Sequence, residues 1–426
     1  MAQKADAQSE ARRIGEVICQ TSVLQRRSQK NVAAALGYHQ SQVSRLESGR
    51  GTEDVRVLRE IAAALDISPH RLGLAATPDA SSAEPGTEDM HRRTFLAASV
   101  AALATPPSPT AAHLDLIQAL LPGTLPPATG QDLGIDGLRD RVRAVRQLLG
   151  MCDYTELEQT LPGLIADLRQ AAAGSSGSAE ASGLLAIVYQ TSVSLLLKRA
   201  DQGNAWLAAG RAMAEAERSA DPVVLAASVR VHAHVLLREK HAAQAVNLMR
   251  HTADQLGGSY DQRSPRYMAA VGLLLLRGAT AASRNGDRDS TREFLHEAKE
   301  VARHVAFDQP DAWANFSPTN VALHEVSGAV SFGDAGIALH TARPLMRRHI
   351  PVPERRAALW VDAARAYSQQ GRLADGYQAL RIAESCAAQD VRRPAVRELV
   401  ADMAARDRRR TLPELHHFSR QLGVPA

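Results

Sequence analysis

Four polar residues in one short segment have the side chains that distinguish DNA bases. Gln40, Ser41 and Gln42 are consecutive, and Arg45 follows about one helical turn later. An amide side chain can pair with adenine through two hydrogen bonds, and a guanidinium can do the same with guanine. Their spacing predicts a helix whose first turns present these groups to base edges in the major groove.

Two short helices joined by a tight turn are predicted to position these side chains. Ser28 can cap a first helix over residues 29–36, and Gly37 can adopt the left-handed backbone that the turn requires. A second helix is expected over about 40–48, with Gly49 ending it. The residues predicted to close the core around both helices are Ala33, Val43, Leu46, Val57, Leu58, Ile61, Ala62 and Leu65.

Residues 28–67 resemble the lambda-repressor/Cro-like (Xre) helix-turn-helix family, through the opening Ser-Gln, the small residues at the crossing and turn, and the run Gln-Ser-Gln-Val-Ser-Arg-Leu-Glu-Ser-Gly. The resemblance implies that Gln29 clamps the DNA backbone, that Arg50 meets a phosphate, and that Ser44 contacts either bases or backbone. Glu47 is expected to order the second helix, because phosphates repel a carboxylate. A helix-turn-helix used only for protein contact is the alternative. The predicted DNA-contact residues are Gln29, Gln40, Ser41, Gln42, Ser44, Arg45 and Arg50.

Length and composition limit the remaining possibilities. The 426 residues suffice for two to three domains, and 50 basic against 46 acidic residues leave a net charge of +4. That balance excludes a protein coated in nucleic acid along its whole length. The 16 aromatic residues argue against a β-sandwich or barrel. The three scattered cysteines argue against a disulfide scaffold and favour a reducing cytoplasm.

Catalytic motifs are absent from the sequence. It contains no GxxxxGK[ST], GxGxxG, HExxH or GxSxG pattern. The closest histidine pairs, at 232/234 and 416/417, have no cysteine or acid that completes a metal-ligand set. We therefore expect a protein that is not an enzyme and that uses no cofactor or metal.

Apolar residues recur at helical spacing along nearly the whole chain, which predicts an all-α fold. Residues 1–8 read as a polar tail. The expected architecture is an N-terminal five-helix helix-turn-helix domain followed by an α-solenoid of TPR-like helical hairpins. The predicted parts are the DNA-binding domain at 9–75, a linker at 76–90, a connecting apolar helix and Pro-rich segment at 91–135, a sensor and dimerisation domain at 136–410, and a tail at 411–426.

An apolar stretch, Phe95–Ala104, follows the linker. Its ten residues fall short of the roughly 20 that a membrane span needs. It follows the run His-Arg-Arg-Thr-Phe-Leu, which resembles a twin-arginine export signal, although a working signal lies at the N-terminus. We expect an apolar helix that docks on the next domain; a mimic of an export signal is the alternative.

A helical hairpin recurs in the C-terminal part, with turns predicted near Gly203, Lys240, Gly286, Gly333 and Gly371, in steps of 37, 46, 47 and 38 residues. The fifth residue after each turn is small, which lets the two helices of a hairpin approach closely: Ala208, Ala245, Thr291, Ala338 and Gly376. Residues 138–170 are expected to form a degenerate first copy of this hairpin. Residues 171–183 are predicted to form a long loop between helices.

The copies at 279–302 and 363–384 resemble the tetratricopeptide (TPR) repeat. That resemblance implies a right-handed superhelix whose concave surface is lined by the first helix of each hairpin. Counting back from each turn places Ser194, Thr280, Ser327 and Asp362 on this surface. Trp313 either walls a pocket or caps the core, and Asn320 can bind a peptide backbone. The residues expected to bind an effector are Gln190, Arg230, His234, Arg277, Trp313, Asn320, His324 and Arg365.

The combination of an Xre-like domain, a linker and a TPR-like array resembles two groups of bacterial regulators. They are the peptide-sensing, quorum-sensing RRNPP regulators and the actinobacterial helix-turn-helix regulators with TPR-like tails; the arginine-rich composition favours the second. The resemblance implies a cytoplasmic homodimeric transcription regulator that binds a double-stranded DNA operator and a peptide, small-molecule or protein effector, with no membrane partner. The alternative is an interaction adaptor whose DNA binding is vestigial.

Overall fold

The computed structural model describes residues 2–24, 27–36, 38–49, 55–65, 67, 72, 110–123, 134–174, 178–259, 264–305 and 316–424. The chain divides into two compact units, Met1–Arg93 and Thr94–Ala426. Every regular element in the described ranges is a helix, so the predicted all-α fold is confirmed. The linker predicted at 76–90 and the apolar stretch at 95–104 lie outside the described residues.

The first unit contains four helices among its described residues: α1 (Ala2–Leu24), α2 (Gln29–Leu36), α3 (Gln40–Glu47) and α4 (Val55–Ala64). The α1 helix begins at Ala2, where the sequence predicted a polar tail over residues 1–8. The Ser28 hydroxyl accepts a hydrogen bond from the Asn31 N–H at 3.3 Å, as expected of a residue that caps α2. The core that joins the helices comprises Ile14, Ile18, Val32, Ala33, Val43, Leu46, Leu58, Ile61, Ala62, Leu65, Ile67 and Leu72.

The second unit is an α-solenoid of helical hairpins. Its helices are α5 (Ala111–Leu120), α6 (Gly134–Met151), α7 (Tyr154–Ala173), α8 (Ser178–Lys198), α9 (Gln202–Ser219), α10 (Pro222–Arg238), α11 (Ala242–Ser259), α12 (Pro265–Arg284), α13 (Arg288–Ala302), α14 (Pro318–Ser331), α15 (Ala335–Met346), α16 (Pro353–Gln369), α17 (Leu373–Cys386), α18 (Ala388–Val391), α19 (Pro394–Arg406) and α20 (Pro413–Gln421).

One kind of turn separates the two helices of each hairpin. A residue with left-handed backbone ends the first helix, and the next residue stands immediately before the second. Gly286 has φ 76° and is followed by Asp287, whose carboxylate accepts a hydrogen bond from the Ser290 N–H at 3.0 Å and so caps α13. Gly333 and Gly371, both with φ 77°, repeat the turn. The turns predicted at Gly286, Gly333 and Gly371 are therefore confirmed.

Three turns use residues that carry a side chain. Lys240, with φ 66°, makes the turn where the sequence predicted it, and the other two are Ala200 and Cys152. The turn expected near Gly203 lies at Ala200, with φ 63°, and Gly203 lies inside α9. Cys152, with φ 62°, makes the same turn between α6 and α7. The segment 138–170 is therefore a hairpin of the array, as predicted. A search for glycine missed Ala200 because a non-glycine residue occupies the left-handed position.

Small residues let the paired helices approach, as predicted. Ala208, Ala245 and Ala338 have no exposed surface, and Thr291 is 4% exposed. A Cβ at Gly278 of α12 would lie 2.5 Å from the ring of Phe294, so the absence of a side chain there makes room for the ring.

Two other predicted segments differ from the structure. The loop predicted at 171–183 is shorter, because α7 extends to Ala173 and α8 begins at Ser178. The tail predicted at 411–426 contains α20, which buries Leu415 and Phe418 against the neighbouring core.

The first helices of successive hairpins, which are α6, α8, α10, α12, α14 and α16, contact each other in order. The second helices pack against them. The first and last of these six also touch, since α6 contacts α16 and the Cβ position of Gly150 lies 3.5 Å from Val352 Cγ1. The array therefore closes on itself, and the first helices share one enclosed inner side.

A buried polar junction holds this closure. The Tyr154 hydroxyl donates to Asp390 Oδ1 at 2.7 Å, across a separation of 236 residues. Lys198 Nζ donates to the same oxygen at 2.7 Å and to Glu354 Oε1 at 3.0 Å. Gln389 adds contacts to the start of α7, where its amide oxygen accepts from the Tyr154 N–H at 3.1 Å. The junction, defined as Tyr154, Lys198, Glu354, Gln389 and Asp390, joins three hairpins and α18.

Electrostatics favour the charged forms in the junction. The Lys198 ammonium lowers the pKa of Glu354 to about 2. Burial alone disfavours the charged form of Lys198, but the carboxylates of Glu354 and Asp390 raise its pKa above the ordinary value of 10.5. Burial and Asp390 raise the pKa of Tyr154, which keeps its hydroxyl protonated as a donor. Each charge is thus balanced by a partner.

Among the helices that the structure describes, one resembles a membrane span in length and composition. The α8 helix has 21 residues and a mean hydropathy of 1.3 in its most apolar window. Of that window, 83% is buried inside the solenoid, so α8 is a core helix. The expectation drawn from the sequence concerned only the stretch at 95–104.

Lys198→Met is predicted to lower the free energy of unfolding by about 3–5 kcal/mol, because it removes the cation closest to Asp390 and Glu354 and leaves each with only an arginine at 3.5 Å. Urea denaturation followed by circular dichroism measures this. Lys299→Met is the matched control: Lys299 pairs with Glu325 at a site that is 51% exposed, where loss of a pair costs at most about 1 kcal/mol. Equal losses in the two variants would contradict the role of the junction.

The junction also predicts a dependence of stability on pH. Because the pKa of Glu354 is lowered from 4.5 to about 2 on folding, its contribution is complete above pH 4.5 and declines as the pH falls toward 2. The difference in stability between wild type and Lys198→Met is therefore expected to shrink over this interval. Thermal melts at a series of pH values test it; a constant difference from pH 6 to pH 2 would refute the assignment.

Candidate nucleic-acid interface and effector groove

The α3 helix has one buried face and one exposed face. Val43 is 1% exposed and Leu46 is 5% exposed, and both lie in the core of the first unit. The predicted base-reading residues Gln40, Ser41 and Arg45 are exposed on the opposite side. Ser44 is exposed as well. The exposed face of α3 therefore carries amide, hydroxyl and guanidinium groups that make no contact with the core.

Two predicted DNA-contact residues have hydrogen bonds within the domain. The side-chain oxygen of Gln42 accepts from the His39 N–H at 2.9 Å and so satisfies a backbone donor at the start of α3. The Gln29 amide donates to Glu47 Oε2 at 2.5 Å and thereby ties α2 to the end of α3. Glu47 thus orders α3, as predicted. Arg50 lies outside the described residues.

The α1 helix supports α3 through a close backbone approach. A Cβ at Gly15 would lie 2.6 Å from the Glu47 carbonyl oxygen and 2.6 Å from the Gly49 nitrogen. Gly49 has φ 79°, and a Cβ there would lie 2.7 Å from the Ala11 carbonyl oxygen. Two glycines therefore set the distance between α1 and the end of α3. Gly49 was predicted to end a helix, whereas Gly15 was not predicted to matter because it lies within a helical pattern.

Two further contacts fix α4 in the domain. The Tyr38 hydroxyl donates to Glu60 Oε2 at 2.5 Å, and the Arg27 guanidinium donates to the Ala64 carbonyl oxygen at 2.8 Å. An arginine at a helix C-terminus also offsets the negative end of the helix dipole. Together these bonds connect α4 to residues on both sides of α2.

The solenoid brings together several residues predicted to bind an effector. Arg230 and His234 lie on α10, Arg277 lies on α12, and His324 lies on α14; all have intermediate exposure. Burial and the charges of Arg277 and neighbouring arginines lower the pKa of His234 well below its ordinary value. Burial and Arg355 lower the pKa of His324 to about 3. Both histidines are therefore neutral at pH 7.

Three other predicted residues have partners inside the protein. Gln190 is 7% exposed, and its amide donates to the Ser228 hydroxyl at 2.8 Å and to the Val224 carbonyl at 3.2 Å. These bonds hold α8 to α10. Asn320 is 3% exposed, and its side-chain oxygen accepts from Arg355. Arg365 pairs with Asp362 at 3.0 Å. Trp313 lies outside the described residues.

Three arginines near this inner side escaped the sequence analysis: Arg238, Arg284 and Arg355. Arg238 and Arg284 each lie two residues before a left-handed turn residue, closer to the turn than the positions that the TPR spacing selected. The signal was present in the sequence, since Arg238 continues the i, i+4 spacing of Arg230 and His234. Arg355 lies in the first turn of α16.

Among the residues that the structure describes, no group of three or more His, Cys, Asp and Glu side chains is arranged to hold a metal ion. Cys19, Cys152 and Cys386 are free thiols. Burial raises the pKa of the Cys152 thiol to about 12, which disfavours the reactive thiolate.

Gly15→Ala is predicted to destabilise the packing of α1 on α3 by about 1–3 kcal/mol, because the added methyl group overlaps backbone atoms. Amide hydrogen exchange in α1 and α3 measures the loss of protection. Gly210→Ala in α9 is the control, since no atom lies within 4 Å of a Cβ there and the change removes a helical glycine. Unchanged protection in α3 of Gly15→Ala would rule out the proposed approach.

Residues 23–72 match the family model described as helix-turn-helix. A search of curated proteins finds no match. Among solved structures, the chain is similar to the crystal structure of Bacillus thuringiensis PlcR in complex with the peptide PapR7 and DNA. The sequence identity is 14%, the match covers 87% of this chain and 99% of that chain, and the TM-score is 0.34. The first unit thus contains a helix-turn-helix domain of the kind that the sequence predicts.

Proposed function

We propose that this protein is a cytoplasmic transcription regulator that binds operator DNA through its helix-turn-helix domain. The C-terminal solenoid dimerises and senses a peptide, a small molecule or a protein. The proposed parts are those of the sequence analysis, namely a DNA-binding domain at 9–75, a connecting region over 76–135 and a sensor domain from 136. The proposal assigns the protein no catalytic activity.

The observation that carries the proposal is the exposed polar face of α3. Gln40, Ser41, Ser44 and Arg45 are exposed, while the apolar side of the same helix is buried. A helix that enters the major groove needs such a face, since its side chains must reach base edges without losing core contacts. Gln29 and Gln42 contribute by holding α3 in place, and Arg50 is proposed to meet a phosphate.

Charge supports the proposal of a dimer. Residues 1–75 contain 11 basic and 8 acidic residues, a net charge of +3. Because neutralisation of phosphates dominates DNA affinity, one domain of this charge binds weakly. Two domains that read half-sites about 34 Å apart, or a multiple of that distance, bind far more tightly. We propose that effector binding changes the separation of the two domains.

The substitutions Gln40→Ala and Arg45→Ala are predicted to reduce discrimination between operator and unrelated DNA by about 1–3 kcal/mol each, which is roughly 5- to 150-fold. Binding sites selected from a random DNA pool with the wild-type protein would supply the operator. Gel shifts on operator and scrambled DNA then measure the discrimination. Gln20→Ala, an exposed glutamine of α1, is the control.

The outcomes separate the proposal from its rivals. An equal loss of affinity on every DNA would contradict base reading by Gln40 and Arg45. If the wild-type protein selects no DNA sequence and shows no salt-sensitive binding, the adaptor hypothesis stands instead. Genome-wide mapping of bound DNA in the native host would then identify whether any promoter is occupied.

A further inference from the structure

The inner side of the solenoid holds a concentration of arginines from different hairpins. Arg230 and Arg238 lie on α10, Arg277 and Arg284 lie on α12, and Arg355 lies on α16. The helices that carry them are first helices of their hairpins, and α10 contacts α12 directly. The positive charges of the other four arginines all act on Arg277. We call these five residues the arginine cluster.

The central arginines of the cluster are not fully satisfied by hydrogen bonds within the described part of the chain. The Nε atoms of Arg230, Arg238 and Arg277 are buried and have no hydrogen-bond partner among the described residues. None of these three forms an ion pair with an acid that the structure describes. Other arginines of the solenoid are paired, for example Arg292 with Asp289 at 3.0 Å and Arg303 with Glu300 at 2.8 Å. The three central arginines differ from these in having no acid within ion-pair distance among the described residues.

The nearby acids neutralise the cluster only in part. Arg355 lies 3.5 Å from Glu354, a carboxylate that Lys198 also engages at 3.0 Å in the junction, and Asp362 is engaged by Arg365 at 3.0 Å. Glu398 interacts electrostatically with Arg238 but does not form an ion pair with it. The Asn320 oxygen accepts from Arg355 and contributes no charge. Positive charge consequently dominates the inner side.

The free protein bears an energetic cost for this arrangement. Burial, together with the charges of Arg355 and Arg146, lowers the pKa of Arg230 to about 10. Burial and four neighbouring arginines lower the pKa of Arg277 well below its ordinary value. Yet solvent still touches both residues, which have intermediate exposure. The side chains of Arg230 and Arg277 are therefore largely surrounded by protein but are still reached by solvent.

The two neutral histidines suit the same kind of ligand. His234 lies one turn from both Arg230 and Arg238 on α10. His324 Nδ1 lies 2.9 Å from the Asn320 carbonyl oxygen, so Nδ1 carries the proton and Nε2 is left as an acceptor, or as a donor on protonation. A ligand that brings negative charge raises the pKa of both imidazoles, since it favours their charged forms.

We propose that the arginine cluster binds a compact ligand that bears a diphosphate or triphosphate group. Arginine forks match phosphate oxygens through paired hydrogen bonds, and a polyphosphate places several negative charges within a few ångströms. Convergence of five guanidiniums on one region suits this density of charge better than the single charge of a carboxylate side chain. The role of the ligand as an effector rests on the proposed function; its binding does not.

Isothermal titration calorimetry of the full-length protein with sodium pyrophosphate and with sodium tripolyphosphate tests the proposal. We expect saturable binding and a higher midpoint of thermal unfolding, because a ligand that binds only the folded state stabilises it. Citrate and a polyglutamate peptide, at matched ionic strength, test the carboxylate alternatives and are expected to bind at least tenfold more weakly. Absence of saturable polyphosphate binding, or tighter binding of either carboxylate, would overturn the proposal.

Substitutions within the cluster provide a signature that a structural role would not produce. Arg230→Gln and Arg277→Gln are each expected to weaken polyphosphate binding at least tenfold, while the ligand-free variants melt at the same or a higher temperature because like-charge repulsion is relieved. Arg230→Lys keeps the charge but loses the planar fork, and an intermediate affinity is expected. Arg292→Gln, on an outer helix, is the control and should bind as the wild type does. Unaltered binding in both glutamine variants would refute the site.

Gel shifts with and without tripolyphosphate separate this inference from the proposed function. If the protein binds the anion but its DNA binding is unchanged, the anion site is supported and its role in sensing is contradicted. If the protein selects operator DNA but binds no polyphosphate, the regulatory function is supported and polyphosphate is excluded as the ligand class.

Discussion

The architecture of the solenoid depends on the buried contact between Lys198 and the carboxylates of Asp390 and Glu354. An open array of hairpins exposes the inner sides of its first helices along a groove. Here the contact joins α8 to α16 and α18, and Tyr154 adds a hydrogen bond from α7. The closure brings α16 back to α6 and confines the inner side. Residues far apart in sequence then act on each other across that space.

The solenoid contains two opposite solutions to the burial of charge. In the junction, cation and carboxylates compensate each other, and the pKa of Glu354 falls to about 2. In the arginine cluster, charges of one sign lie together, and the pKa of Arg230 falls to about 10. In a compensated site the attraction between the charges offsets the cost of burying them, and removal of one partner destabilises the fold. An uncompensated site raises the energy of the free protein, and this cost is the basis of the proposed anion site.

The helix-turn-helix domain separates support from recognition in a similar way. Gly15, Gly49 and the bond between Gln29 and Glu47 fix α3 from its buried and terminal sides. Gln40 and Arg45 take no part in that support and remain exposed. Such a helix is held rigidly while its polar face stays available, which is what preorganised binding requires.

Local chemistry was enough to determine much of this protein. Helical spacing, Ser28 as a cap, and the glycines at 286, 333 and 371 act through interactions within a few residues, so the sequence alone revealed the all-α class, the helix-turn-helix and most hairpin turns. Only the tertiary structure decided that Ala200 makes a turn and that the Gln190 amide is occupied by a hydrogen bond to Ser228. It also decided that Arg238, Arg277 and Arg355 share one region. These outcomes depend on closure of the array, which is set by contacts between residues more than 150 positions apart.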